Sequence, residues 1–311
     1  MAEINLQYIN SSAKADPVSL VRNSEIKYRT FVNDIATRVK QNDKIRIILL
    51  AGPSGSGKTT TANILADAIR GKGLQSFVIS LDDFYKNADD PTYPLLPDGE
   101  RDFETVEALN LLDIENTLVA ISEGKEFSLP KFDFKKGCRV SETKHPKMQH
   151  GCVIIEGLHA LNPLIFEHLD ASKVLRIFIS VSTNINKNGE RIISGRKMRF
   201  IRRMIRDSLY RASDAEKTLS LWENVLHGED KYLYPFRDNA DIKFDTFHAF
   251  ELGVMKPYVK ALISNELAKS NEYAGAVLSA ACEAVGIDET LVPNDSLIRE
   301  FIEGGKYEEF Y

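Results

Sequence analysis

The sequence predicts an α/β fold in which a doubly wound, mostly parallel sheet is flanked by helices. Two observations carry this prediction: short apolar runs alternate with segments of helical periodicity, and no internal repeat or low-complexity linker interrupts them. The length agrees, because 311 residues, 43% hydrophobic and 27% charged, suffice for one α/β domain with additions. We therefore expect one main domain.

An amphipathic packing helix precedes the first buried strand, and strands and helices then alternate to the end of the chain. A hairpin is expected to interrupt this alternation near the middle of the sequence. The predicted elements, in chain order, are a helix at 18–41, a strand at 46–51, a helix at 58–70, a strand at 76–81, a helix near 104–122, a hairpin around 127–140, strands at 152–156 and 174–180, a strongly basic helix at 197–212, a short strand at 239–245, and helices at 250–267 and 273–285.

Charge and cysteine usage exclude several classes of protein. A formal charge of −5 and a pI near 5.8 argue against a surface built for nucleic acid or anionic lipid. Cys138, Cys152 and Cys282 have neither metal-site spacing nor an even count, which favours a reducing, cytoplasmic location. The N-terminus lacks a secretory pattern, and no run approaches the roughly 18 apolar residues of a membrane span. We expect no nucleic-acid or membrane partner, and a homo-oligomer stays open.

The strongest motif is a full G-x-x-x-x-G-K-[ST] pattern at 52–59, placed between a predicted strand and a predicted helix. Such a P-loop wraps its backbone N–H groups around phosphates at a helix N-terminus. Lys58 is expected to reach the β- and γ-phosphates of ATP, and the Thr59 hydroxyl to bind Mg²⁺. The alternative is a glycine-rich turn without nucleotide. The predicted ATP-binding residues of this loop are Gly52, Ser54, Gly55, Ser56, Gly57, Lys58, Thr59 and Thr60.

A second polar cluster, Asp82-Asp83-Phe84-Tyr85, follows the next predicted strand. Ligands of open α/β sheets bind beyond the carboxyl ends of the strands, so these carboxylates are expected to face the P-loop. An ionised Asp82 can accept the proton of an attacking hydroxyl, and Tyr85 can pack beside the acceptor. The alternative is that both carboxylates only solvate a turn.

The strand at 152–156 ends in a carboxylate, as a Walker B strand does. Glu156 is therefore a candidate to hold Mg²⁺ or its water shell. A capping or turn carboxylate is the alternative, because an acid at this place also suits a following helix. His159 is interpreted as a hydrogen-bonding group, since the sequence displays no partners for a catalytic role.

The fourth cluster is the basic segment 196–207, with Arg211 beyond it. Helical spacing puts four guanidiniums on one face, and such a face predicts a mobile lid that closes over ATP and stabilises the transferring phosphoryl group. A nucleic-acid stripe and a solvated face are the alternatives. The four residues at this spacing are Arg199, Arg202, Arg203 and Arg206.

These motifs together resemble the phosphoribulokinase/uridine kinase family, and within it the uridine kinase-related nucleoside kinases of bacteria. The resemblance covers about residues 45–265, and order and spacing agree throughout. Besides the P-loop, it rests on Asp82-Asp83-Phe84-Tyr85, Pro130-Lys-Phe-Asp-Phe134, Ile155-Glu156-Gly157, Arg202-Arg203-x-x-Arg206-Asp207 and Asn239-Ala-Asp241-Ile.

The resemblance implies a role for each matching residue. Asp82 is implied as the general base, and Glu156 shares Mg²⁺ with Thr59. Lys58, Arg206 and Arg211 are implied to hold the ATP phosphates, with Lys58 and Arg206 active in catalysis. The implied acceptor-binding residues are Asp82, Asp83, Tyr85, Phe132 and Arg203, and Arg203 contacts either the acceptor or the phosphate.

Three departures from the family pattern concern the acceptor. Gly137 stands where uridine kinases have a histidine that reads the pyrimidine edge, and Ser213 replaces the last arginine of their lid. Residues 102–105, Asp-Phe-Glu-Thr, replace their Asp-His-Pro segment. Losing a hydrogen-bonding partner for the ligand usually changes discrimination by orders of magnitude.

The sequence thus predicts a P-loop kinase domain at 43–268, with a hairpin insert at about 126–141 and an arginine-rich lid at about 195–213. An N-terminal extension at 1–42 and a C-terminal helical extension at 269–311 flank it. The expected reaction is transfer of the γ-phosphate of ATP to the 5′-hydroxyl of a ribonucleoside, uridine or cytidine, as in nucleoside salvage. A kinase for a sugar phosphate, glycerate or pantothenate is the main alternative.

Two further classes of P-loop protein are alternatives to a kinase. A GTPase switch needs an N-K-x-D sequence, and residues 186–189 read Asn-Lys-Asn-Gly, which does not fit. A non-catalytic nucleotide-binding module would retain the P-loop without an ordered base, and the absence of transfer to any alcohol would distinguish it.

Overall fold

The computed structural model describes residues 2–96, 99–145, 147–148 and 150–310, and the limits 1 and 311 of the predicted extensions lie outside them. Within these ranges the strands are β1 (Glu3–Asn5), β2 (Ile47–Ala51), β3 (Gln75–Ser80), β4 (Phe127–Asp133), β5 (Cys138–His145), β6 (Gly151–Glu156), β7 (Val174–Ser180), β8 (Asn184–Lys187), β9 (Glu190–Ile193) and β10 (Ile242–Asp245). The α-helices are α1 (Leu6–Ala15), α2 (Pro17–Gln41), α3 (Lys58–Gly71), α4 (Leu111–Ser122), α5 (Pro163–Phe166), α6 (Gly195–Tyr210), α7 (Ala215–Tyr232), α8 (Glu251–Leu262), α9 (Asn265–Ser270) and α10 (Glu272–Glu283).

A five-stranded sheet in the order β10-β7-β2-β6-β3 forms the centre of the fold, and all its neighbouring strands run parallel. Every residue of β2 is buried, as expected for a strand covered on both faces. Successive side chains of β2 point to opposite faces: Ile48 and Leu50 join one apolar cluster, and Leu49 joins the other. The predicted doubly wound α/β fold is confirmed.

The larger of the two apolar clusters also contains residues from both ends of the chain. Helices α1 and α2 contribute to it, and β1 pairs in parallel with β8 in a separate small sheet. Four residues near the C-terminus, Leu297, Ile298, Phe301 and Ile302, are fully buried in the same cluster. Both predicted extensions therefore share a core with the sheet, and the proposed division at 42/43 and 268/269 stays a prediction.

The predicted hairpin is confirmed as the antiparallel pair β4–β5. Its turn uses Gly137, whose φ of +64° favours glycine. The hairpin packs on the 3₁₀ turn Leu81–Phe84, which follows β3. Through this contact it forms one wall beside the carboxyl end of the sheet.

Two predicted helix boundaries were wrong. The helix near 104–122 begins only at Leu111, because the Asn110 side chain caps it by accepting a hydrogen bond from Asp113 N–H. The helix at 250–267 is divided into α8 and α9, because the side chain of Ser264 caps a new helix. The sequence pattern does not predict β1, α1, α5, β8, β9 or α7. Across the described part of the chain, no helix combines the length and apolarity needed to cross a membrane.

Candidate active site

The P-loop connects β2 to α3 at the carboxyl edge of the central sheet. Gly55 and Gly57 adopt φ values of +73° and +85°, which side chains rarely tolerate. There is no room for a side chain either: a Cβ at Gly55 would lie 2.6 Å from the Arg199 carbonyl oxygen, and one at Gly57 2.7 Å from Leu297 Cδ1. Because the first N–H groups of α3 lack helical acceptors, they form a ready anion site. The loop is therefore held in a phosphate-binding shape between α6 and the C-terminal segment.

A cavity of about 270 Å³ opens in front of this loop. It is polar, and parts of the chain from the P-loop to residue 300 contribute to it. The residues predicted from the sequence that line it are Ser54, Gly55, Gly57, Lys58, Thr59, Asp82, Tyr85, Glu156, Arg203, Arg206 and Arg211. The predicted residues Gly52, Ser56, Thr60, Asp83 and Phe132 lie outside its lining.

Thr59 and Glu156 form a pair of oxygen donors at the bottom of the cavity. The Thr59 hydroxyl donates to Glu156 Oε1 at 3.3 Å, and Glu156 is 6% exposed at the end of β6. Burial raises the pKa of Glu156 to about 7, and the nearby Lys58 charge opposes that rise. A hydroxyl and a carboxylate fit Mg²⁺, which takes few protein oxygens and leaves its other positions to water and phosphate. A bound cation would also favour the ionised carboxylate.

Asp82 lines the same cavity, in the turn that follows β3. The Ser80 hydroxyl accepts a hydrogen bond from Asp82 N–H at 3.3 Å and fixes the start of this turn. Enclosure by the cleft walls raises the pKa of the Asp82 carboxyl, and Lys58 opposes the rise, while water in the open cleft moderates it. A carboxylate in this position can accept a proton from an acceptor hydroxyl in the cleft.

Asp83 faces the hairpin, where it fixes β4. Its carboxylate pairs with Lys131 Nζ at 3.1 Å and accepts a hydrogen bond from Phe132 N–H at 3.3 Å. Phe132 is buried, and its ring centroid lies 5.9 Å from that of Tyr85. The Tyr85 hydroxyl donates to the Phe103 carbonyl oxygen at 2.9 Å. Direct contacts of Asp83 and Phe132 with an acceptor stay predictions.

The sequence predicts four guanidiniums on one face of α6 that closes over ATP. For two of these four arginines, the prediction is wrong. Arg199 is 1% exposed and forms a bidentate pair with Glu229 of α7, at 2.8 and 2.9 Å. Arg202 is fully buried and pairs with Glu251 of α8 at 2.6 Å. Arg199 also supports the P-loop, because it donates a hydrogen bond to the Ser54 carbonyl oxygen at 2.8 Å. Burial excludes a solvated face or a nucleic-acid stripe for both residues.

The other two arginines of this face, Arg203 and Arg206, line the cavity together with Arg211. One carboxylate connects these three side chains. Asp207, 5% exposed, pairs with Arg203 at 3.2 Å, Arg211 at 3.3 Å and Arg206 at 3.7 Å. Arg203 also donates to Ser54 Oγ at 2.9 Å. In the described part of the chain, Arg206 Nε has no hydrogen-bond partner. The predicted cationic side of the site is thus present with three guanidiniums.

Three carboxylates in the cavity lining are not predicted from the sequence: Glu104, Glu229 and Glu300. Glu229 accepts a hydrogen bond from Ser54 N–H at 2.8 Å in addition to its pair with Arg199. Glu104 belongs to the segment already noted as a departure from the family pattern, which was the one signal available. No local motif marks Glu229 or Glu300, because their partners are distant in sequence.

His159 is buried close to the cavity. It is 4% exposed, its ring packs edge-on against Tyr232, and among the described residues its Nδ1 has no hydrogen-bond partner. Burial lowers the pKa of His159 to about 4. A hydrogen bond to the Glu104 backbone opposes part of this shift, as expected for the interpretation of His159 as a hydrogen-bonding group.

Replacing His159 with Gln is expected to make folding less sensitive to acid. Between pH 6.5 and about 4 the unfolded chain binds a proton that the folded chain excludes, so the free energy of unfolding falls as the pH drops. The loss between pH 6.5 and 5 is on the order of 2 kcal/mol. Urea denaturation at both pH values should show a loss smaller by this amount in His159→Gln. If the wild type and His159→Gln lost equal amounts of unfolding free energy, the result would contradict a His159 that is buried and neutral.

Comparisons with known proteins show the family of the chain. The family model "Phosphoribulokinase / Uridine kinase family" matches residues 47–252. A uridine kinase of Borrelia hermsii is 28% identical over 201 residues, which are 64% of this chain and 85% of that protein. A uridine kinase of Schizosaccharomyces pombe is 26% identical over 196 residues, 63% of this chain; this chain spans only 37% of that protein's length. A solved D-glycerate 3-kinase from Cryptococcus neoformans has a TM-score of 0.49 at 16% identity, covering 69% of this chain and 90% of that one.

Proposed function

The chain belongs to the phosphoribulokinase/uridine kinase family, and from this premise we propose that it is a kinase that transfers the γ-phosphate of ATP to a small hydroxylated acceptor. One observation carries the proposal: the P-loop lysine, the Thr59–Glu156 oxygen pair, Asp82 and three guanidiniums line the same cavity. Phosphoryl transfer needs these components, because its catalysis depends on positioning and on charge stabilisation.

Each group has a task in the proposed reaction. The P-loop amides and Lys58 hold the phosphates, and Arg206 and Arg211 stabilise the charge that spreads over the transferred group. Thr59 and Glu156 would hold Mg²⁺, which neutralises phosphate charge when bound. Asp82 orients the acceptor hydroxyl and takes its proton as the oxygen attacks in line with the leaving ADP.

A ribonucleoside, uridine or cytidine, is the acceptor that we propose, with its 5′-hydroxyl directed to Asp82. An aromatic group beside the cleft supports a flat ring: the centroid of Phe134 lies 5.7 Å from that of Tyr85 and 5.1 Å from that of Phe132. Glu104, in the cavity lining, supplies acceptor oxygens that suit sugar hydroxyls. The uridine kinases among the relatives point in the same direction.

A second candidate is a kinase for a small anionic alcohol such as a sugar phosphate, glycerate or pantothenate. The observation that favours it is the half-exposed guanidinium of Arg211 at the cleft, which suits an acceptor carrying a phosphate or carboxylate. Gly137 offers no side chain to read a base, which is also consistent with this class.

An acceptor screen tests the proposal. ADP formation is measured with ATP and Mg²⁺ across nucleosides, sugars, sugar phosphates and small hydroxy acids, with a reaction lacking acceptor as the blank. Uridine or cytidine should give the highest kcat/KM, and Lys58→Ala should abolish the signal. A preference for an anionic alcohol would favour the second candidate, and no acceptor-dependent ADP from any class would contradict a kinase.

A further inference from the structure

Residues 289–308, which we name the C-terminal strap, cross the start of α3 and are fastened on both sides. Asp295 pairs with Arg29 of α2 at 2.6 Å, and Tyr307 donates to Asp67 of α3 at 2.7 Å. The Leu297 side chain lies against Gly57 of the P-loop, so close that a Cβ there would meet it at 2.7 Å. The strap is therefore packed directly on the phosphate cradle.

One carboxylate of the strap, Glu300, lines the phosphate cavity itself. It is 3% exposed, accepts a hydrogen bond from the Thr60 hydroxyl at 2.7 Å and pairs with Arg206 Nη1 at 3.0 Å. Thr60 lies in the first turn of α3, and Arg206 is one of the three guanidiniums around the cavity. Glu300 thus connects the P-loop helix to the arginine helix α6.

The backbone around Glu300 is fixed by packing. Its neighbours Ile298, Phe301 and Ile302 are fully buried, and the Arg202 guanidinium lies 5.1 Å from the centroid of the Phe301 ring. Withdrawing the carboxylate together with the strap would expose this core, which is costly. Glu300 is therefore a permanent part of the cavity wall, and it is poorly placed to act as a displaceable plug.

A fixed carboxylate at this place has a clear effect on Arg206. A free arginine side chain has several rotatable bonds, and this freedom must be lost when it engages phosphate. The Glu300 pair removes part of this freedom before nucleotide arrives, and the Arg206 side chain still lines the phosphate cavity. Groups held in place in advance stabilise a transition state more effectively than mobile ones.

We propose that Glu300 is a positioning residue that holds the Arg206 guanidinium toward the transferred phosphoryl group, so that the C-terminal strap forms part of the nucleotide site. This inference rests on the proposed kinase function. The strap then has a role in turnover in addition to its packing. That role depends on a charged contact between two side chains 94 residues apart.

The Glu300→Gln variant tests this proposal, because Gln keeps the size and the hydrogen bond to Thr60 but loses the charge. We expect kcat to fall about tenfold in Glu300→Gln and about a hundredfold in Glu300→Ala, and the KM for ATP to rise by about threefold or more. Asp295→Asn is the matched control: it breaks an exposed ion pair of the same strap outside the cavity, and its kcat should stay within twofold of wild type.

A double-mutant cycle with Arg206 separates positioning from a structural effect. If Glu300 acts through Arg206, adding Glu300→Gln to Arg206→Gln should lower kcat no further. A further tenfold loss in the double variant would overturn the proposal. So would an unchanged kcat with tighter ATP binding in Glu300→Gln, because that result identifies a competitor of phosphate. Thermal unfolding of each variant confirms that the measured protein is folded.

Calorimetric titration distinguishes failure of this inference from failure of the proposed function. Wild type should bind a non-hydrolysable ATP analogue more tightly than ADP, and Glu300→Gln should lose at least threefold of this preference. A wild type that binds both nucleotides but phosphorylates no acceptor would refute the kinase proposal while the titration still tests Glu300. A preference for the analogue that is unchanged in Glu300→Gln would refute the positioning role.

Discussion

The Asp82→Asn variant is expected to lose most of its turnover while binding ATP as tightly as the wild type. Asn keeps the shape of the side chain and its place in the turn after β3, but it cannot accept the proton of the attacking hydroxyl. General-base catalysis contributes about 10²–10⁴-fold, and we expect kcat to fall by that factor. Steady-state rates with the best acceptor and titration with a non-hydrolysable ATP analogue measure the two quantities.

The neighbouring carboxylate provides the control for this prediction. Asp83→Asn makes the same chemical change one residue away, where the carboxylate binds Lys131 and the hairpin backbone. It should raise the acceptor KM through the hairpin and leave kcat within about threefold of wild type. A kcat for Asp82→Asn that equals the wild-type value would remove Asp82 from the mechanism.

The Glu251→Gln variant is expected to have the largest effect on stability. Glu251 and its partner Arg202 are both fully buried, and Arg202 also donates to the Gly55 and Thr246 carbonyl oxygens, at 3.3 and 2.8 Å. Removing one charge leaves the other buried without compensation, which costs about 3–5 kcal/mol. Urea denaturation monitored by circular dichroism should show this loss in the free energy of unfolding. Because Arg202 supports the P-loop, ATP affinity should fall as well.

An exposed ion pair of α6, the helix that carries Arg202, serves as the comparison. Arg196 of α6 pairs with Asp230, and their side chains are 45% and 51% exposed. Asp230→Asn should change the free energy of unfolding by less than about 1 kcal/mol, because solvent screens such pairs. If the Glu251→Gln protein were as stable as the Asp230→Asn protein, the buried ion pair would not stabilise the fold as we expect.

The parts of this protein that the sequence predicts well depend on residues close together in the chain. The P-loop follows from glycine spacing between an apolar strand and a helix, and the all-buried β2 follows from an uninterrupted apolar run. The carboxyl-edge rule for parallel sheets was enough to bring Asp82 and Glu156 to one cavity, although the strands that carry them are far apart in sequence.

The parts that the sequence did not predict depend on distant partners. Helical spacing correctly puts Arg199 and Arg202 beside Arg203 and Arg206, but it does not show which side of that face is buried. Their carboxylates lie 30 residues away for Arg199 and 49 for Arg202, on helices whose packing no local pattern specifies. Glu300 reaches the cavity for the same reason, from a strap whose course depends on tertiary contacts.

A crystal structure with a non-hydrolysable ATP analogue and Mg²⁺ is the most direct test of the central claim, that a phosphate cradle, a carboxylate and arginines meet at one phosphoryl group. We expect the terminal phosphate between Lys58 and Arg206, with an Asp82 oxygen on the side open to the acceptor. An analogue whose terminal phosphate is remote from both Asp82 and Arg206 would contradict it.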